Sequence, residues 1–434
     1  LSKIRNLIGA LLFLSSLEAN EDSILSPKID LFIYSDKNDI DYTLLGKIVK
    51  QQDSLKYSSS VIGGDFGINL KIDDLEFILQ GSGVSSLQNR SKIDEKITAP
   101  YFDNDKKDFI YLSNLYLSKQ FDNINLKIGR QKYNNELVNS NKRVISNQYE
   151  GIYFDYKSDF IKINSLYFNK VASSTLANIV PFNHDYAVFG YGKGFNVGEF
   201  VSVSEHISNK DFDTNGAIVT DITYGDLEKS INIQNLYVDD FFNTFDLTGK
   251  LNFAYNNWGL DTKVGYIKQF DVGENYYSYD YENKKIDANM YQSSLRVKYQ
   301  NIFTIFNYSS SFSSNNSILN GTFISPFSNK LGWIKGPQTA HSFIADTISK
   351  ELLTGINFDT FSKKSTLVIS SIYYNIGSDN GLAANSLDTK EKYIYLNTIL
   401  NKNVNFTFQY STTKNKDILT NQSNNLRAFL NYNF

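Results

Sequence analysis

Apolar and polar residues take strict turns along several stretches of the chain. Val404-Asn405-Phe406-Thr407-Phe408-Gln409-Tyr410 does so, as do Phe245 to Phe253 and Ile161-Lys162-Ile163-Asn164. A period of two places one set of residues on each face of a β-strand. Read this way, the chain predicts eighteen strands, over 29–42, 58–72, 75–87, 109–121, 124–133, 148–157, 160–170, 216–225, 230–241, 244–255, 260–270, 287–299, 302–312, 347–360, 365–377, 391–401, 404–413 and 424–434. A soluble sandwich alternates too, so the connections must discriminate. An up-and-down membrane barrel has short turns at one end and long loops at the other. Every second connection, beginning with Asp73-Asp74, is short and rich in turn residues: Asp122-Asn123, Ser158-Asp159, 226–229, 256–259, Gln300-Asn301, 361–364 and Lys402-Asn403 follow. Most of the others are long: 88–108, 134–147, 171–215, 271–286, 313–346, 378–390 and 414–423. Phe242-Asn243 is expected to be a tight connection at the long-loop end. The predicted fold class is an all-β transmembrane antiparallel barrel of about 18 strands with long extracellular loops.

Both ends of the chain agree with export to such a membrane. Lys3 and Arg5 precede the apolar run Leu7 to Leu14, and small residues follow up to Ala19, so 1–19 reads as a Sec signal peptide and 20–434 as one barrel domain. After residue 19 no apolar run approaches the ~18 residues of a spanning helix. In the last segment Ala428, Leu430, Tyr432 and Phe434 fall on one face, with Arg427, Phe429, Asn431 and Asn433 on the other. A final alternating strand ending on Phe434 resembles outer-membrane barrels, whose assembly machinery reads that end.

Composition narrows the chemistry. With 30 Tyr, 32 Phe, no Cys, 3 His and a mean hydropathy of −0.33, the chain is aromatic yet water-loving on average. That balance suits strands with lipid on one face and water on the other. Zero Cys excludes disulfides, thiolate metal sites and a cysteine nucleophile. A net charge of −3 offers no basic footprint for nucleic acid. Neither a cofactor fingerprint nor a metal motif is present, so no cofactor is expected. Tyr133, Phe121, Tyr156, Tyr255, Phe270, Tyr299, Tyr373 and Tyr410 stand near strand ends, where interfacial girdles form.

One stretch carries a family resemblance. Ile128-Gly129-Arg130-Gln131, a polar loop holding Arg143, and Gln148-Tyr149-Glu150-Gly151-Ile152 together resemble a strand–loop–strand of OprD-type outer-membrane porins. Gly63-Gly64-Asp65-Phe66-Gly67 is similar to the second strand of those proteins, and campylobacterial major porins look related in size and composition. Ser146 and Asn147 stand where the family has Pro. The resemblance implies an eighteen-stranded diffusion channel in the Gram-negative outer membrane for small hydrophilic solutes and ions, with small carboxylates, amino acids or peptides as candidate preferences. Lipid, lipopolysaccharide and the assembly machinery are the implied partners, and the chain is a homotrimer or a monomer. A surface barrel with an adhesive role is the alternative, and a barrel-embedded hydrolase a weaker one.

Alternation also assigns the charges. Apolar Leu295, Val297 and Tyr299 face lipid, which sends Arg296 and Lys298 into the lumen. Lys162, Asp246, Lys250, Asp261, Lys263 and Arg427 follow by the same reasoning, and Arg143 joins them as a selectivity candidate through the resemblance. Arg130 shares parity with Leu126 and Ile128 and so faces outward, unless Gly129 marks a bulge. Loop 171–215 is the first candidate to fold inward, with His184, Asp185, Glu199, Asp211 and Asp213 at the constriction; loop 313–346 is the second. Within the first, 195–207 alternates weakly enough to suggest a short strand.

Overall fold

The computed structural model describes residues 25–41, 54–91, 108–140, 146–173, 198–207, 213–273, 285–328, 331–337, 341–360, 363–380, 387–400, 404–415 and 422–433. The signal segment 1–19, Arg143, His184, Asp185, Asp211 and Phe434 lie outside them.

The strands are β1 Leu25–Asp41, β2 Ser54–Ile72, β3 Leu75–Ser91, β4 Asp108–Phe121, β5 Ile124–Gln131, β6 Gln148–Lys157, β7 Ile161–Ala172, β8 Val201–Ser202, β9 Ala217–Gly225, β10 Lys229–Val238, β11 Phe242–Tyr255, β12 Trp258–Asp271, β13 Asp287–Tyr299, β14 Ile302–Ser311, β15 Thr347–Thr360, β16 Lys363–Ile376, β17 Leu387–Ile399, β18 Val404–Asn415 and β19 Gln422–Asn433. Each pairs antiparallel with its neighbours. β1 pairs with both β2 and β19, so the sheet closes on itself. The two-residue β8 pairs with β7 alone, which leaves eighteen strands in the wall. Closure removes both sheet edges, as a structure surrounded by hydrocarbon requires.

The hairpin turns at the short-loop end explain themselves locally. Asp73, Asp122, Asn256 and Gln300 begin two-residue turns at φ of 51°, 44°, 52° and 51°. Asp and Asn tolerate this left-handed region because their short side chains can bond local backbone. At the opposite end, the tight connection between β10 and β11 is Asp239-Asp240-Phe241, not Phe242-Asn243, which begin β11. Asp240 supplies the positive φ there, 54°, so the turn falls three residues earlier than the apolar alternation suggested.

Burial is inverted relative to a water-soluble protein. On β10, Asn232 and Gln234 are buried while Ile231 is 51% exposed. On β11, Asp246 and Thr248 are buried while Leu251 and Phe253 are exposed. The same holds around the wall, where Val264, Leu295, Leu352 and Ile369 face outward. An apolar exterior over a polar interior is the arrangement lipid selects. Phe121, Tyr255, Phe270 and Tyr299 are exposed at strand ends, in keeping with girdles, whereas the exposed Tyr373 and Tyr410 lie within β16 and β18. Tyr133 is not among them: it lies beyond β5, 6% exposed, in the interior core, with its ring 6.1 Å from Tyr153.

That interior core belongs to the outer half of the barrel. Inward-facing Phe168, Val219, Leu236, Val238, Ile267 and Met290 pack against Phe323, Ile324, Phe327, Leu331 and Ile334 from the β14–β15 connection. The loop has turned into the barrel because it carries its own apolar residues to bury.

Candidate functional site

The lumen is narrowed from two directions. The β14–β15 loop lies against the inner wall, and the β5–β6 loop meets it. Gln269 on β12 clasps the first loop as a strand would, donating from Nε2 to the Ile324 carbonyl and accepting from the Ile324 amide, both at 2.8 Å. Trp333 N donates to Gln292 Oε1 of β13 at 3.1 Å. Farther round, Gly336 packs on the buried Glu391 carboxylate of β17, where any side chain would collide with it. Arg427 of β19 donates from Nη1 to the Pro337 carbonyl at 2.9 Å. The loop thus spans the inner wall from β12 to β19. The β5–β6 loop is held by its Asn139 amide on the Phe327 carbonyl at 3.0 Å and its Glu136 amide on Gln234 Oε1 at 3.2 Å. An ion pair joins the two loops, Lys335 Nζ to Glu136 Oε2 at 2.7 Å.

Beside this pair the wall presents ordered charges. Asn232 Nδ2 donates to Asp221 Oδ1 at 2.7 Å and to Thr223 Oγ1 at 2.8 Å, and Gln234 Nε2 donates to Asn232 Oδ1 at 2.9 Å. Thr248 Oγ1 donates to the buried Asp246 Oδ1 at 3.1 Å. Nearer the short turns, Lys250 on β11 stands opposite Lys263 on β12 in register. Neither ammonium makes an ion pair among the described residues. The next rung is Arg296, 3.6 Å from Asp261 and stacked at 4.8 Å on Phe303. Glu351 accepts from Asn307 Nδ2 at 2.7 Å, Ser370 Oγ at 3.0 Å and the Tyr393 hydroxyl at 3.1 Å, so its charge is fully engaged.

The register puts Lys162, Lys250, Lys263, Arg296, Lys298 and Arg427 on the lumenal face. The structure brings Lys250, Lys263 and Arg296 together on three successive strands. Lys162 and Lys298 are exposed near the short turns, and Arg427 is buried beneath the loop. Arg130 faces away from the lumen: Gly129 takes a φ of 126°, but the ladders to β4 and β6 run through it without a slip.

Among described residues both candidate loops reach the interior: the described parts of 312–346 lie along the inner wall, and Val203, His206 and Ile207 of 171–215 are buried in the same core. From loop 171–215, Glu199 and Asp213 are exposed. The suggested strand within 195–207 is only β8, which leads into helix α1, Val203–Ile207. Ser202 Oγ accepts from the Glu205 amide, and Glu205 Oε2 accepts from the Ser202 amide, both at 3.1 Å. This reciprocal cap was legible in the Ser-x-x-Glu spacing. His206 of α1 is buried, stacked 5.4 Å from Phe327, and donates from Nε2 to the Pro326 carbonyl at 2.9 Å. Lys335 is one of the charges of the second candidate loop, but its partner Glu136 escaped sequence reasoning, because it sits in another loop 199 residues away.

Neither a protein-family sequence model nor a curated protein sequence matches the chain. Solved structures do. OccAB3 of Acinetobacter baumannii superposes with a TM-score of 0.67, over 94% of this chain and 99% of that one, at 12% identity. OccAB4 of the same organism gives 0.67 over 96% and 100%, at 15% identity. OpdK of Pseudomonas aeruginosa, in a crystal structure with vanillate, gives 0.65 over 94% and 98%, at 10% identity. The chain therefore has the fold of the OprD-type outer-membrane porins.

Proposed function

We propose that this protein is a passive diffusion channel of the Gram-negative outer membrane, with no enzymatic role, and that it favours small hydrophilic solutes carrying an anionic group. The observation that carries this reading is the lumen itself: a polar inner wall, narrowed by an inward loop, with Lys250 and Lys263 side by side and in no ion pair among the described residues. An eighteen-stranded barrel is wide enough for water. Flow then depends on the narrowest point and on its charges. Glu136, Asp221 and Asp246 stand near the lysine pair, so a solute crossing here meets both signs. A zwitterion or a small carboxylate would be oriented by that field. The vanillate in the OpdK structure is an aromatic carboxylate, which supports the same chemistry here.

The test is reconstitution of the refolded chain in a planar bilayer. Discrete, persistent conductance steps are expected, with a small aromatic or aliphatic carboxylate added on one side interrupting the current. A folded barrel that never conducts would overturn the channel reading.

A further inference from the structure

The lipid-facing wall is not uniformly convex. Between β2, β3 and β4, Phe66, Ile68, Leu79, Ile110 and Leu112 line an apolar crevice of about 440 Å³. That volume is in the range of ordinary small-molecule sites. Two local features create it. Phe66 lies opposite Gly81 in register, and a Cβ on Gly81 would meet the Phe66 ring at 2.7 Å. Without that side chain the ring lies down on the wall. The β3–β4 ladder also slips between Gln80 and Gly81, with Ser113 the extra residue, so that Ile110 and Leu112 pair with glycines on the outer face. Bulges re-aim side chains in this way.

Charges stand beside the crevice. Arg130, Glu150 and Lys170 are successive register partners on β5, β6 and β7. Tyr149 is fully buried in the interior and Ile152 is 50% exposed, so alternation points Glu150 outward with both cations. Arg130 Nε donates to Glu150 Oε2 at 2.6 Å, and Lys170 Nζ lies 3.5 Å from Oε1. Arg130 Nη1 also reaches the Leu112 carbonyl, at the edge of the crevice, at 3.5 Å. Arg130 is the penultimate residue of β5, which runs from a short turn toward the long-loop end. Two partly exposed cations therefore share one carboxylate at the outer end of an apolar channel.

We propose that this exterior site binds one phosphorylated, acylated lipid of the outer leaflet, with an acyl chain in the crevice and a phosphate on Arg130 and Lys170. Hydrocarbon must cover the apolar wall in any case. The net positive triplet selects, among those lipids, one with an anionic headgroup, because guanidinium and ammonium groups pair strongly with phosphate. The site rests on the barrel being embedded in a membrane, not on what crosses the lumen.

The experiment is native mass spectrometry of the full chain extracted in mild detergent, titrated with bis-phosphorylated lipid A, its dephosphorylated form or phosphatidylethanolamine. The phosphorylated lipid should bind about tenfold more tightly than the other two, as expected of one lost charge-assisted contact. The R130Q/E150Q/K170Q variant should lose that preference while keeping its binding of the neutral lipids. L112W, which fills the crevice, should weaken both lipid A forms alike, and it serves alone if the charge variant does not fold. Equal binding of phosphorylated and dephosphorylated lipid A by the wild type would overturn the proposal. So would full displacement of the lipid by millimolar inorganic phosphate, which would mark an ordinary anion site.

Discussion

Lys250 and Lys263 face each other at one ladder position, where like charges ordinarily destabilise a sheet. A water-filled lumen makes the pairing tolerable, and a passing anion would relieve it. The K250Q/K263Q variant should therefore shift the reversal potential in a KCl gradient toward cation selectivity. The permeability ratio should change about threefold to fivefold, since a unit charge a few ångströms away in water is worth about 1 kcal/mol. The shift should shrink between 0.1 M and 1 M salt, as the screening length falls from about 10 Å to about 3 Å. An unchanged reversal potential at low salt would mean that the lysine pair does not line the conducting path. Glu351 is the contrasting case, a lumenal carboxylate whose three donors hold it in place. Its removal would strand buried donors rather than alter selectivity.

Among the elements, helix α1 is held by the contact that also fixes the turn at Pro326. Burial among apolar side chains lowers the His206 imidazole from its usual 6.5 to about 4, with the bond to the Pro326 carbonyl acting weakly in the other direction. Nε2 must carry the proton to donate that bond, and Nδ1 lies buried without a hydrogen-bond partner among the described residues. A second proton would place charge in the apolar cluster beside Phe327, Val203 and Ile207. The sign follows. With the folded value depressed, the unfolded segment binds more protons between pH 6.5 and 4. The contribution to stability is whole above 6.5 and is lost as pH falls toward 4, to a maximum of about 3 kcal/mol. Amide hydrogen exchange of 198–207, corrected for its intrinsic pH dependence, should therefore speed up over that window. In H206F it should show no such dependence.

On the scale of the whole molecule, the inverted burial is what makes the chain a membrane barrel, and it can be tested from the outside. Val264 is 63% exposed in the middle of β12, flanked on the other face by Lys263. Arg at 264 should cost about 2–4 kcal/mol in equilibrium unfolding from lipid vesicles, as for a cation on the lipid face near mid-membrane. V264L should be nearly neutral. A V264R protein as stable as wild type would place that face in water. The interior asks for the opposite in its outer half, where Phe323, Phe327 and Ile334 exclude water and hold the inward loop against the wall. The lumen is therefore a polar passage beneath an apolar clamp.

The eighteen wall strands, the parity of their connections and the inward set of Lys162, Lys250, Lys263, Arg296 and Lys298 were readable in the chain. Lipid on one side and water on the other impose a period of two, and that period is local. The short turns were equally readable, because Asp73, Asp122 and Asn256 carry their own conformational preference. Loop behaviour was not. Length favoured 171–215 as the inward loop, but burial of Phe323, Ile324 and Phe327 also draws in the described parts of 312–346 beside Val203 and Ile207, a gain that exists only once the barrel has supplied apolar partners. The Glu136–Lys335 pair, the clasp of Gln269 on Ile324 and the charged triplet at Arg130 likewise join residues far apart in the chain. Alternation fixes which side of the wall a residue faces, but only closure of the sheet decides what it meets there.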